Sequence, residues 1–425
     1  MDSADPARAG TPDGASGGSA GLAPGGVALR RRRVAVSLLF LLAGTVIGTW
    51  TARIPAVKEG LGLGDGGLSI GLLALAAGSI TGMQAVGRLV DRWGGPRIAV
   101  PAVFADGAML VLPAHATGLP TLAVALFVFG AAHGALNVAM NAAAVEVEQA
   151  ARRPIMSSFH AFYSIGGFLG AAVGGVFAGA GLGTAATFTT VAVGVFLLAP
   201  WAARWVLPSR PARAPADAAP ADRPGDGRRA GRSGGVFFLG VLGFSCLVGE
   251  GAAADWSTVY LRDSLGSGAG FAAAAYAAFS VAMTAGRLAG DRLAAALGRV
   301  TLVRCCGLVA AVGLGAALLV HHPVAGVVGF GCLGAGLSCI APQVFSAAGN
   351  RDPARAGQAI ARVASLSYLG FFVGPVVIGA VAELSGLPLA LGIPAVLALF
   401  VAAAAPALRA PTTAEPPRAA SGASG

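Results

Sequence analysis

Three ionisable side chains, Asp106, His133 and Glu250, lie inside long apolar runs. Ionisable groups in such surroundings mark pathways or relays by default. Proton coupling needs a buried acid or imidazole able to titrate near physiological pH, and these three are the candidates. Polar groups at helical spacing surround them. His133, Asn137 and Asn141 are four apart, which at about 100° per residue makes one stripe, and Glu148 extends it. Thr45, Thr49 and Arg53 repeat the spacing, as do Tyr276, Ser280 and Thr284. Gln84, His160, Tyr163, Gln343 and Tyr368 add amides and amphipathic rings. Such a set suits a sugar or similar polar solute better than a purely lipophilic one. The bland reading stands beside it: Asn and His also tie helices together in lipid, and hydroxyls can satisfy themselves on their own helix.

These residues need elements to hold them, and composition says what those are. Of 425 residues 56% are apolar, 11% are charged and 65 are glycine, against roughly a quarter charged in soluble proteins. Lipid is the solvent this implies. A bilayer core takes roughly 20 apolar residues per helix, and such runs fall near 34–52, 68–88, 97–115, 120–143, 157–179, 184–204, 236–256, 268–288, 300–320, 323–345, 358–381 and 387–406. The alternation of a spanning barrel is absent. Residues 1–33 read as a disordered tail ending in Arg30–Arg33, 207–234 as a solvated linker and 410–425 as a second tail. The linker leaves two blocks of near-equal size, 34–206 and 235–409.

The blocks echo one another. Gly87, Asp91, Arg92, Gly94 and Arg97 form a charged turn after the second run, and Gly286, Arg287, Asp291 and Arg292 repeat it after the eighth, with Gly and Asp five apart instead of four. Gly166, Gly170 and Gly175 of the fifth run recur at one constant offset as Gly370, Gly374 and Gly379, which predicts close helix crossings. Of the 29 Lys and Arg residues only Arg53, Lys58 and Arg262 fall in outer segments if the N-terminus is cytoplasmic. That bias puts both ends inside, and it accounts for the net charge of +10 without a nucleic-acid partner. Cys246, Cys305, Cys306, Cys332 and Cys339 have no metal-ligand spacing, so no metal is expected. No phosphate-binding P-loop occurs, so no nucleotide cofactor is expected either.

Two six-helix blocks, a central linker and a Gly-x-Leu-x-Asp-Arg-x-Gly turn together resemble the major facilitator superfamily. Within it, Arg53-Ile-Pro, Asn137-Val-Ala-Met-Asn141, Arg153-Pro-Ile-Met-Ser-Ser-Phe-His160 and Glu250-Gly-Ala-Ala-Ala-Asp255-Trp256 are similar to the fucose-permease-like branch and its uncharacterised bacterial relatives. The resemblance implies an all-α membrane protein of twelve helices in two pseudo-symmetric bundles, with helices one, two, four and five of each half lining a central cavity. It further implies that Asp91 meets the N-terminal end of the eleventh helix and shuts a cytoplasmic gate, which Arg362 reinforces. That branch carries acids near Asn137 and Arg53. Coupling here would then have moved to Glu250 or His133, or the protein is a uniporter.

The resulting expectation is a secondary transporter of a small polar organic solute, probing the solute and protons as its partners from a bacterial inner membrane, and working as a monomer because one chain holds a complete unit. Two rivals are an exporter of drugs or secondary metabolites and a membrane-embedded enzyme. The exporter signature is a Gly-Pro step in the fifth helix, yet Gly374-Pro375 lies in the eleventh. The enzyme would rest on His321-His322, the one paired set, and non-enzymatic transport is the expectation kept.

Overall fold

The computed structural model describes residues 24–207 and 226–409. Among them, twelve helical segments are long and apolar enough to cross a membrane, so the chain is an all-α, multi-pass membrane protein. The first half holds α1 (Pro24–Gly60), α2 (Asp65–Trp93), α3 (Gly95–Met109), α4 (Leu119–Ala151), α5 (Met156–Gly179) and α6 (Thr184–Val206). The second holds α7 (Asp226–Val259), α8 (Ala269–Leu297) and α9 (Arg299–Val320). Its tenth span is split into α10 (Pro323–Leu337) and α11 (Ile340–Arg351), α12 (Ala356–Ser385) follows, and the last span is split into α13 (Leu387–Ala390) and α14 (Gly392–Ala404).

The breaks have a common cause. A proline gives no amide hydrogen to the carbonyl four residues earlier, and its ring crowds that carbonyl. α3 stops at Met109, four before Pro113; α13 stops at Ala390, four before Pro394; and the gap between α10 and α11 opens at Ser338, four before Pro342. Two expected boundaries are corrected. Helix α1 begins at Pro24, inside the expected 1–33 tail, because the Arg30–Arg33 run continues it. Arg31 lies over the Trp205 ring at 4.2 Å, Arg32 pairs with Glu146 at 3.4 Å and Arg33 with Asp291 at 3.6 Å. Helix α7 begins at Asp226, inside the expected 207–234 linker, so its polar first turns extend the seventh span; residues 208–225, 1–23 and 410–425 lie outside the described ones.

Packing repeats between the halves. α1 crosses α5 and α2 crosses α4, as α7 crosses α12 and α8 crosses α10; the halves meet where α2 packs on α12 and α5 on α8. Glycine makes the crossings possible. A Cβ on Gly170 would run into the Thr45 carbonyl oxygen, one on Gly166 into that of Leu41, and one on Gly370 into that of Phe244, whereas Gly175 faces open space. Replacing Gly170 by Leu must push α1 from α5, and overpacking of this kind costs about 1–3 kcal/mol. The purified Gly170→Leu variant is expected to melt clearly below the parent in detergent, and Gly175→Leu to melt with it. Equal melting of all three would contradict the crossing.

Candidate functional site

One end of the bundle carries the α2–α3, α4–α5, α8–α9 and α11–α12 turns and is rich in arginine; it is called the Arg-rich face. At this end acids of each half meet backbone of the other. The Asp91 carboxylate accepts from the Gly357 amide at 2.7 Å and from the Gln358 side chain at 2.7 Å, so a negative charge sits at the first turn of α12, where the helix dipole favours it. Gly87 allows that approach, since a Cβ there would come within 3.1 Å of Ala361. Gly94, at φ +86°, forms the sharp turn into α3, a conformation glycine adopts without steric cost.

The second copy of the turn works in the same way despite its longer spacing. Asp291 accepts from the Ser158 amide at 3.1 Å, in the first turn of α5, and pairs with Arg33. A Cβ on Gly286 would strike the Ser338 side chain, so the α8–α10 approach needs this glycine. Glu148 completes the clamp: it accepts from the Ile155 and Met156 amides at 3.1 and 3.0 Å, pairs with Arg299 at 3.0 Å and accepts from the Ser346 hydroxyl. Gln149 donates to Asn350 at 2.9 Å beside it.

The gating arginines occupy three different places. Arg362 does not join Asp91: the α12 amide and Gln358 already satisfy that carboxylate, and Arg362 lines a groove between α2 and α12 instead. Arg287 is drawn inward, 8% exposed, because Glu250 of α7 offers a charge partner inside the bundle. Arg92, Arg97 and Arg292 are exposed at the rim of the clamp; Arg92 lies over the Trp93 ring and Arg97 donates to the Trp93 carbonyl at 3.4 Å.

Deeper in the bundle the ionisable groups form two pairs. Arg287 donates to Glu250 at 3.2 Å and to the Ser164 hydroxyl of α5 at 2.7 Å, so one guanidinium binds an acid of its own half and a hydroxyl of the other. Cys246 lies 3.9 Å from the same Glu250 oxygen. About a fifth of the Glu250 side chain, 21%, is accessible. In the first half His133 Nδ1 lies 3.1 Å from Asp106 Oδ1, both side chains being buried. With Asp106 ionised, Nδ1 carries the hydrogen and Nε2, 3.4 Å from the Tyr163 hydroxyl, accepts from it. Asp106, on a helix expected to be peripheral, is thus the buried partner of His133.

The other candidates separate into joints and open groups. Thr49 donates to the Thr45 carbonyl at 2.7 Å and also lies 3.2 Å from that of Gly170, so it belongs to the α1–α5 crossing and is not free for a solute. Arg53 is buried and donates to the Leu182 carbonyl at 2.6 Å, and Gln84 donates to Ser365 at 2.8 Å across the halves. Each of these three makes a structural contact, while the Arg53 Nε is buried with no partner among the described residues and the Gln84 side chain is exposed. His160 faces Asn141 at 3.2 Å and stacks on Phe345 at 5.7 Å. By contrast, the carbonyl oxygens of Asn137 and Gln343 are buried with no donor among the described residues, and Tyr276, 44% exposed, stacks on Phe279. Ser164 was missed, although it stands four residues after His160 on the same stripe. Ser346 and Ser365 carry no comparable signal.

The family model described as Major Facilitator Superfamily matches residues 3–147, 102–354 and 257–424. An uncharacterised MFS-type transporter of Yersinia pestis is 37% identical over 385 residues, covering 89% of this chain and 96% of that one. Membrane protein MosC of Rhizobium meliloti is 31% identical over 366 residues, 84% of this chain and 85% of that one. Among solved structures, the transporter FucP in the outward conformation superposes with a TM-score of 0.70 at 16% identity, over 88% of this chain and 98% of that one. The proton:xylose symporter XylE gives 0.67 at 13% identity, over 89% and 95%.

Proposed function

Because the chain belongs to the major facilitator superfamily, and is therefore a secondary transporter, we propose that it carries a small polar organic solute coupled to protons, with Glu250 as the coupling acid. The observation that carries this reading is the Glu250–Arg287–Ser164 chain. Protonating Glu250 removes the charge that holds Arg287, and Arg287 is also a link between the halves. Proton binding and the rocking of the halves therefore act on one guanidinium. Asp106 and His133 are already paired with each other, with Tyr163 beside the imidazole.

The solute site lies between the halves, around the accessible face of Glu250 and the open groups: the donor-free carbonyls of Asn137 and Gln343, with Tyr163, Tyr368 and Tyr276. Carbonyls without donors and phenolic hydroxyls favour a solute rich in O–H or N–H groups. The cargo of XylE, xylose with a proton, is of the same class. The positive-inside bias supports an Arg-rich face turned to the cytoplasm of a bacterial inner membrane, with both termini inside. The clamp of Asp91, Asp291 and Glu148 then closes the cytoplasmic side, and one chain suffices for the cycle.

The test is flux into proteoliposomes across a panel of sugars, polyols and other polar metabolites, with and without an inward proton gradient. At least one solute is expected to accumulate several-fold when the outside is acid. Absence of flux for every solute under any gradient would sink the proposal.

A further inference from the structure

On the flank of the bundle, a groove of about 630 Å³ runs between α2 and α12, where the two halves meet at the Arg-rich face. Its polar lining comes from Gln84 and Arg88 on α2 and from Gln358 and Arg362 on α12. The two amides are already engaged, Gln84 on Ser365 and Gln358 on Asp91. Thr81, also on the wall, donates to its own helix at Ala77. What remains are two guanidiniums, both exposed, one from each half. Neither has a carboxylate partner among the described residues, and no acid lines the groove.

The neighbouring carboxylate, Asp91, is held by Gly357 and Gln358, so the two like charges on the groove make a field that a further anion relieves. Depth says where the anion comes from. Arg88 is five residues from the end of α2 and Arg362 six from the start of α12, so at 1.5 Å per residue they sit roughly 7–9 Å inside the helix ends. That is the level at which arginine side chains reach the headgroup plane of a bilayer. Ile80, Ala85 and Ala361 give the same groove an apolar wall, which fits an acyl chain and not a hydrated ion.

We propose that this groove binds the phosphate of an anionic phospholipid from the leaflet at the Arg-rich face, one oxygen set shared between Arg88 and Arg362. The lipid bridges the halves beside the Asp91–Gly357 contact and favours the state in which the Arg-rich face is closed. The site is independent of which solute is carried.

The probe is phosphatidylglycerol. Full-length protein, purified from mixed phosphatidylglycerol and phosphatidylcholine and partly delipidated, is weighed by native mass spectrometry. The parent is expected to retain phosphatidylglycerol several-fold over phosphatidylcholine, and Arg88→Gln with Arg362→Gln to bring the two lipids level. Arg304→Gln with Arg409→Gln, which removes two cations elsewhere, is expected to keep the parent's preference, and Arg88→Lys with Arg362→Lys to keep most of it. In lipid nanodiscs, phosphatidylglycerol should raise the population closed at the Arg-rich face for the parent and not for the double Gln variant. A preference that survives the Arg88 and Arg362 substitutions, one lost equally in the Arg304 and Arg409 control, or one abolished by adding inorganic phosphate, would overturn the proposal.

Discussion

In proteoliposomes, Glu250→Gln is expected to exchange solute across the membrane while losing accumulation driven by a proton gradient, by at least about tenfold. Glutamine keeps the shape and can still meet Arg287, but it cannot release a proton. Arg287→Ala is expected to be worse. It leaves Glu250 in the bundle without its cation, and breaking a buried pair from one side costs about 3–5 kcal/mol. That variant should lose stability and both modes of transport. Combining Glu250→Gln with Arg287→Met removes both charges, and it should recover much of the stability without recovering accumulation. Gradient-driven accumulation equal to the parent's in Glu250→Gln would remove Glu250 from coupling and leave the Asp106–His133 pair as the alternative.

The spans were legible because lipid imposes a simple rule: about 20 apolar residues between charged turns. The ends of spans were less legible, and the reasons are local. The run of Arg30–Arg33 reads as a stop in composition, yet arginine is a good helix former and each of Arg31, Arg32 and Arg33 finds an aromatic ring or acid to rest on. The breaks at Met109, Ser338 and Ala390 were written in Pro113, Pro342 and Pro394, but Pro55, Pro101, Pro200 and Pro375 lie within helices that continue. A proline sets where a break can occur, and packing decides whether it does.

The site was legible in its members and less so in its pairings. Spacing along a helix shows that His133, Asn137 and Asn141 share a stripe. It cannot show that Asp106, on another helix, faces the first of them, or that Arg287 leaves its turn for Glu250. Those contacts depend on how α3 leans on α4 and α8 on α7, which no single helix records. The repeat itself misleads at one point. Gly286 to Asp291 is one residue longer than its counterpart, yet Asp291 still reaches the first turn of α5, while Arg287 is carried inward to pair with Glu250.

Asp91→Asn is expected to shift the resting population toward opening at the Arg-rich face. Asp91 accepts two short hydrogen bonds, one from a helix N-terminus, and hydrogen bonds to a charged group contribute about 1.5–3 kcal/mol each. Asparagine retains one acceptor oxygen, but its amide nitrogen brings a donor against a donor and the charge at the α12 dipole is gone. Losing one such bond changes the closed-to-open ratio by about ten- to a hundredfold. Single cysteines placed along the Arg-rich ends of α2 and α12 should therefore react faster with a water-soluble thiol reagent in the variant, and binding of solute from the opposite side should weaken without being abolished. Asp291→Asn acts on one backbone donor and a longer 3.6 Å ion pair, so its shift should be the smaller of the two. Labelling rates unchanged by Asp91→Asn would reduce the turn to a connector, and the clamp would then rest on Glu148, which holds Arg299 and Ser346 of the other half.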